Sequence, residues 1–483
     1  MFLPFILIIP LIACLASFLV KKSVAALGAI AISASLVELA IVSASVVSVA
    51  KNGTYFFSNY LFLDPLGAVI IMILTVVSAM AASYSLGYLK IEMKKKIIGF
   101  RRARQFFVLL HLFILAMFFA IVTTNPMLMW IAIEATTLST AFLISFYNKP
   151  AAIEAAWKYL IINSVGLLLG FVGILLFLYP SAQSGLQGLV SWQALLSFSN
   201  SYTFDPFIVK IGFIFILVGF GTKVGLVPMH TWLPDAHSKA PAPISSLLSG
   251  VLLNVAFLAL LRFKGVTDLE IGGGFSGNLF IIFGLLSIVV EGFFIFSQNN
   301  YKRMLAYSSI EHMGVATLGF GFGGAGAFAA LLHLIYHSLA KSSLFLSAGN
   351  ILLKYSSTKM VNVKGMIKTL PLTSILFFIS FLALAGVPPF GIFITEFSIM
   401  LAGIGAHPVA VIISLLAFVL VFAGILKHVT MMVFGEAREG IPSGEAGPLT
   451  VIPVVILVAL LIGLSFYVPE SAQSLLRAVV ANY

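Results

Sequence analysis

Cysteine is almost missing from this chain: Cys14 is the only one among 483 residues. A single thiol cannot form an internal disulfide, hold an iron–sulfur cluster or build a thiolate zinc site. No cofactor is therefore expected in this chain, and redox chemistry linked to it has to sit in other polypeptides. Charge is nearly as scarce. Asp, Glu, Lys and Arg make up 9% of the residues and hydrophobic residues 61%, with a mean hydropathy of +1.13. That balance excludes a soluble domain of this length, which needs a charged surface. Weakly apolar connections are also few. The longest run over about 181–205, rich in Ser, Gln and Asn, and about 435–448, with Glu436, Arg438, Glu439 and Glu445. Both read as surface loops.

What is abundant is apolar sequence in helix-length runs. A membrane span needs about 20 apolar residues. About fourteen candidates occur, at roughly 2–20, 24–50, 62–88, 104–123, 126–147, 152–180, 206–234, 243–263, 276–297, 303–322, 325–353, 371–400, 406–434 and 449–468. The first is followed by Lys21-Lys22 and lacks a small-residue cleavage site after a basic start, so a retained helix is expected. The fold class is all-α, a polytopic membrane protein with about 14 transmembrane helices.

The net charge of +11 follows the same topology and does not call for nucleic acid. By these spans, 18 of the 27 Lys and Arg fall in alternate connections, five lie on the opposite face and its helix edges, and four lie inside spans. The positive-inside rule then puts both termini outside and the Lys90–Arg104 loop in the cytoplasm. Its run Lys94-Lys-Lys96…Arg101-Arg102-Ala-Arg104 is an orientation signal, or a contact for anionic lipid or an acidic partner. The glycines of 319–326 look superficially like a dinucleotide fingerprint, but no strand precedes them, so close helix packing is expected instead.

A few ionisable residues interrupt the apolar runs. Each costs roughly 3 kcal/mol or more at the bilayer centre, and such residues usually mark ion or proton pathways. Lys223 precedes a proline break at Pro228 and Pro234, and Glu396 follows a second break, Gly386-Val-Pro388-Pro389-Phe-Gly391. Proline removes a backbone donor and frees carbonyls to meet water or an ion. Interrupted helices in corresponding halves point to inverted repeats with midplane sites.

Glu134 lies in a second apolar helix, where it is a candidate partner for Lys223. A Glu–Lys pair whose carboxylate swings away tends to release the lysine's proton; a static pair that fixes packing is the other reading. His333, His337 and Lys341 repeat every four residues and share one helix face. Two imidazoles and an amine on one face suit a proton relay. The His pair also suggests a metal, but no His-Glu-x-x-His motif accompanies it, so metal ligation is not expected. His230 and His237 flank the first break and either extend the path or satisfy freed backbone groups. Glu154 and Lys158 have the i, i+4 order of a helical ion pair, structural or functional. Glu291, Glu311, His312, Lys427 and His428 also lie in or near spans; Glu38, Asp64 and His111 carry less signal.

The stretch Lys223-Val-Gly-Leu-Val-Pro-Met-His-Thr-Trp-Leu-Pro-Asp-Ala-His237-Ser-Lys-Ala-Pro-Ala-Pro-Ile-Ser-Ser246 is closely similar to the signature of antiporter-like subunits. These occur in respiratory complex I, energy-converting membrane-bound hydrogenases and multisubunit sodium/proton antiporters. Lys302-Arg-Met-Leu-Ala-Tyr-Ser-Ser-Ile310 and Gly386-Val-Pro-Pro-Phe-Gly-Ile-Phe-Ile-Thr-Glu396-Phe resemble the family too. Glu134-Ala-Thr-Thr and Glu154-Ala-Ala-Trp-Lys-Tyr159 look most like the subunits of hydrogenase-4 and formate hydrogenlyase-type complexes.

The resemblance implies two inverted five-helix repeats, 104–263 and 276–434. They are flanked by 1–103, three helices with the basic cytoplasmic loop, and by 435–483, a C-terminal loop and last helix, without a long lateral helix. It also implies that Glu134 is the carboxylate partner, Lys223 the pumping lysine, His333, His337 and Lys341 the central relay, and Glu396 the terminal residue. Many relatives carry lysine where this chain has Asn254, so the link between half-channels is expected to rely on water or His237.

The leading expectation is a proton-translocating subunit of a redox-driven, hydrogenase-linked complex in the cell membrane. Lower-ranked proton-transfer residues are Glu154, Lys158, Glu311 and His312. Other membrane subunits, peripheral redox subunits carrying a nickel–iron centre and iron–sulfur clusters, and lipid are the expected partners. The alternatives are a sodium/proton exchanger subunit without redox partner, and a scaffold whose buried charges lock helices together.

Overall fold

Proline and short polar side chains set the helix starts. Helices beginning at Pro65, Pro126, Pro206, Pro371, Pro408 and Pro448 carry proline in the first turn, where its missing N–H leaves no helical bond unmade. Asp64, Asn125 and Asp205 cap three of them, each side chain accepting from a first-turn N–H. The computed structural model describes residues 3–183, 191–199, 205–437 and 440–481. Residues 184–190 and 200–204 of the first expected loop, and Arg438 and Glu439 of the second, lie outside the described residues.

In chain order come α1 (Leu3–Leu19), α2 (Val24–Asn52), an antiparallel hairpin of β1 (Tyr55–Phe57) and β2 (Leu61–Leu63), α3 (Pro65–Lys94), α4 (Phe100–Val122), α5 (Pro126–Ile144) and α6 (Pro150–Gln183). Next are α7 (Trp192–Ser199), α8 (Pro206–Val224), α9 (Trp232–Lys239) and α10 (Ala242–Leu247), which continues through a π-helical turn at Leu248–Leu252 into α11 (Leu253–Ile271). Then follow α12 (Gly273–Phe296), α13 (Tyr301–Phe322), α14 (Gly324–Tyr355), α15 (Met366–Thr369), α16 (Pro371–Leu384), α17 (Gly391–Gly403), α18 (Pro408–Phe434), α19 (Pro448–Phe466) and α20 (Glu470–Val480).

Ten helical stretches among the described residues are long and apolar enough to cross a membrane, with α10–α11 counted as one. α1, α16 and α17 are apolar but shorter, and α13 and α14 are long but carry the ionisable residues. The protein is a multi-pass membrane protein. Its centre is α10–α11, α13 and most of α14, buried along their length. Large apolar side chains such as Phe142, Trp157, Phe207 and Leu416 face outward instead, as a hydrocarbon surround requires.

Small residues bring the site-bearing helices together. A Cβ at Gly219 of α8 would collide with the backbone of Gly170 in α6, so this contact is backbone to backbone. It sets the separation between Lys223, on α8, and Tyr159, on α6. Among the described residues the two expected loops are better packed than their composition suggests. Trp192 of α7 is buried, its ring 4.9 Å from that of Phe263. Glu445 accepts from the backbone N–H groups of Leu372 and Thr373 at 2.9 and 3.0 Å, placing a carboxylate at the positive end of α16. The amphipathic α20, which buries Leu475, Leu476 and Val479, was not expected from the sequence.

Arg262 is another correction. The sequence puts it at a helix edge, yet its side chain is 5% exposed and pairs with Asp64 at 3.0 Å. It also donates to the Ile121 carbonyl at 3.2 Å and lies over the Phe62 ring at 4.5 Å. Asp64 additionally caps α3 through the Gly67 N–H. Removing it leaves a buried cation unpaired and a helix start uncapped. Asp64→Ala is expected to lower stability by about 2–3 kcal/mol, read as a drop in Tm of the detergent-purified chain that Lys51→Ala does not produce.

Candidate functional site

Both proline segments interrupt their helices. α8 ends at Val224 because Gly225 takes a left-handed φ of 86°, a conformation glycine adopts without penalty. Helix resumes at Trp232, whose indole N–H donates to the Thr222 carbonyl at 2.8 Å and satisfies a group the break leaves free. α16 ends at Leu384, Gly386 has φ 63°, and helix resumes at Gly391. The Val227–Pro228 and Pro388–Pro389 peptides are both cis.

Lys223 emerges from the first break into a fully buried pocket. Its ammonium donates to Thr137 Oγ1 at 2.8 Å and to the Tyr159 hydroxyl at 2.7 Å, and lies 4.8 Å from the Tyr159 ring centroid. Glu134 is not in direct contact with it. The carboxylate accepts from Ser164 Oγ at 2.6 Å and from Thr137 Oγ1 at 3.4 Å. The expected Glu134–Lys223 pair is therefore relayed by a hydroxyl: Thr137 sits one turn beyond Glu134 on α5 and touches both. Glu134 is also only half-buried, at the outer edge of the chain. Thr140 extends the chain of hydroxyls, 2.6 Å from that of Tyr159.

The second cluster is built from three helices. On α14, His333, His337 and Lys341 share one buried face, as their spacing predicts. Lys341 donates to the Leu305 carbonyl at 2.8 Å and to Ser308 Oγ. From α13, His312 places Nδ1 3.1 Å from Nε2 of His333. Glu396 Oε1, on α17, lies 3.8 Å from the same His312 Nδ1, and Glu311 Oε2 lies 3.4 Å from His312 Nε2. Thr395 Oγ1 is 2.9 Å from His333 Nδ1. One ligand-type atom each from His312, His333 and Glu396 thus lies within 4.8 Å of the others. The His337 ring is 5.3 Å from that of His312, with both nitrogens buried and unpartnered.

Between the clusters lies His237, fully buried, stacked on Phe345 at 5.3 Å and with neither ring nitrogen hydrogen-bonded. Asn254 follows the π-helical turn and donates to Ser338 Oγ at 2.7 Å and to the Gly250 carbonyl at 3.2 Å. His230 instead points away from this line, its Nε2 3.3 Å from Glu291 Oε1. Glu154 and Lys158 form their helical pair at 2.6 Å on an exposed face, and Lys158 reaches Asp235 at 3.6 Å.

Residues 123–423, which hold every one of these groups, match the family described as NADH:quinone oxidoreductase/Mrp antiporter, transmembrane. The chain belongs to that family. It is 35% identical over 393 residues to a hydrogenase-4 component F homolog of Methylacidiphilum infernorum, covering 81% of each protein. It spans about half the length of some longer relatives that it matches. Among solved structures it resembles a chain of the archaeal membrane-bound sulfane sulfur reductase, with TM-score 0.86, 24% identity, and 99% and 97% of the two chains covered. It likewise resembles a chain of the Mrp complex of Dietzia sp. DQ12-45-1b, with TM-score 0.83, 18% identity, and 100% and 98% covered. It is an antiporter-like membrane subunit of the complex I and hydrogenase type.

The antiporter-like chain also contains buried polar residues that sequence reasoning passed over. Thr137 and Tyr159 carry no net charge, and hydroxyls are common in apolar helices, so nothing singles them out before packing is known. Lys302 lies in a basic connection by sequence hydropathy, yet it is buried and donates to the Ala240 carbonyl at 2.6 Å. Glu92, also buried, accepts from the Tyr147 hydroxyl at 2.6 Å, and Tyr147 is 2.9 Å from Tyr88. Glu92, Tyr147, Lys149, Lys239 and Lys302 line one cavity of about 390 Å³ among the basic connections.

Proposed function

We propose that this subunit translocates protons through the buried Lys, Glu and His side chains, driven by redox chemistry in partner subunits of a hydrogenase-type complex. The observation that carries the reading is a lysine held by neutral hydroxyls, Lys223 on Thr137 and Tyr159, with its carboxylate one hydroxyl away. Such a lysine has no fixed counter-ion to immobilise its proton. Rotation of Thr137 or Glu134 changes the field on Lys223 and favours proton release or recapture. His237 relays toward Lys341, and His337, His312 and His333 carry the proton to Glu396. Glu134 and Glu396 lie at the half-buried ends of the line, where neighbouring subunits would meet it. His230, paired with Glu291, and Glu154 with Lys158 act beside the main route.

In this reading the segments 104–263 and 276–434 are the two repeats, each containing one broken helix. The basic loop lies in the cytoplasm, and the nickel–iron centre and iron–sulfur clusters reside in partners. A tagged chain purified from native membranes in mild detergent tests it. Nickel–iron hydrogenase and iron–sulfur subunits should accompany the chain. Recovery of small hydrophobic exchanger subunits alone, without a metalloprotein, would overturn it in favour of sodium/proton exchange.

A further inference from the structure

We infer that His312, His333 and Glu396 form a binding site for a divalent transition metal of the zinc type. The sequence suggested a metal only through the His333–His337 pair on one helix. The fold instead opposes His333 with His312 from the preceding helix and adds a carboxylate from α17. A four-coordinate zinc ion with ligands about 2.0–2.2 Å away keeps those ligands roughly 3.3–3.6 Å apart. The observed His312–His333 and His312–Glu396 separations, 3.1 and 3.8 Å, bracket that spacing. The third edge, within 4.8 Å, closes by rotation of the terminal carboxylate, whose torsion is broad.

The surroundings resemble the outer shell of a metal site. Ligating histidines usually turn their second nitrogen to a carboxylate, carbonyl or hydroxyl that fixes the ring. Glu311 faces the outer nitrogen of His312 at 3.4 Å, and Thr395 that of His333 at 2.9 Å. In the metal-free chain the two rings share one proton between their facing nitrogens. On metal uptake that proton moves to the outer nitrogen of its own ring, toward Glu311 or Thr395, and the protons held by the Glu396 and Glu311 carboxyls leave to solvent as the ion takes their place. Glu396 and Glu311 together offset the ion's two positive charges. His337, whose two nitrogens are buried and unpartnered beside His312, is the nearest candidate for the fourth position. Access is from the outer edge of the second break, where Pro388 and Pro389 are exposed and Glu396 is 15% exposed. Two imidazoles and a carboxylate suit zinc over magnesium or calcium, which prefer oxygen alone.

Metal uptake by the purified full-length chain tests this without any transport measurement, so its failure leaves the proton reading untouched. Cobalt(II) serves as the coloured probe and zinc as its competitor. The wild type is expected to bind one cobalt with the intense visible absorption of a four-coordinate centre, and zinc to bleach it. Lys223→Ala, in the other cluster, should bind equally well. Thr395→Val should weaken binding ~10- to 100-fold, and His312→Ala and Glu396→Gln should abolish the signal while eluting as folded protein. A zinc-dependent rise in Tm confined to the first three proteins gives a second readout. Absence of the four-coordinate spectrum in the wild type would overturn the inference. So would an unchanged spectrum in the His312→Ala, Glu396→Gln double variant, which would place the metal elsewhere.

Discussion

Lys223→Met is expected to abolish proton translocation while leaving the complex assembled and electron transfer intact. Methionine fills a similar volume but carries no proton, and burial leaves little room for water to replace it. A positioned proton-transfer group contributes ~100- to 10,000-fold, so proton uptake per electron should fall at least ~100-fold, to the leak rate. Thr137→Val removes only the hydroxyl between Glu134 and Lys223, and a smaller loss, roughly ten-fold, is expected.

Stability separates this account from a scaffold role. Breaking a structural buried ion pair costs about 3–5 kcal/mol, whereas exchanging a buried charge without a fixed counter-ion for a hydrophobe removes an uncompensated desolvation cost. Lys223 is bonded to hydroxyls, so Tm should hold or rise. A Tm that drops sharply, with assembly lost and no separate transport defect, would favour the scaffold.

Lys341→Arg keeps the charge and is still expected to stop translocation. Guanidinium does not deprotonate in proteins, so it cannot pass a proton along the α14 face. The carbonyl of Leu305 and the hydroxyl of Ser308 can accept from either side chain, and the substitution therefore tests proton release more than fold. The expected result is electron transfer near the wild-type rate with uncoupled proton uptake. Wild-type uptake in Lys341→Arg would mean that only a fixed positive charge is needed there.

The helical architecture and both breaks were readable because length, hydropathy and proline position are local properties. Lys223, Glu396 and the His333–His337–Lys341 face were readable for the same reason: a charge in an apolar run costs energy, and a four-residue repeat defines a face. Partners across helices were not. Periodicity says that His333 faces inward but not that His312 meets it, nor that Thr137 stands between Glu134 and Lys223. Arg262 reads from the sequence as a cation at a helix edge, and only the return of Asp64 from the start of α3 makes it a buried pair. The π-helical turn before Asn254 has no proline or glycine pattern that announces it, since Gly250 alone fits an ordinary packed helix.

The central claim is tested most directly by reconstituting the complex that carries this chain into liposomes, with a pH-sensitive dye inside, in sodium-free buffer. Adding the electron donor should change the internal pH in step with electron transfer, and an uncoupler should collapse the change. A pH that stays constant until sodium is supplied, accompanied by movement of labelled sodium, would contradict the account.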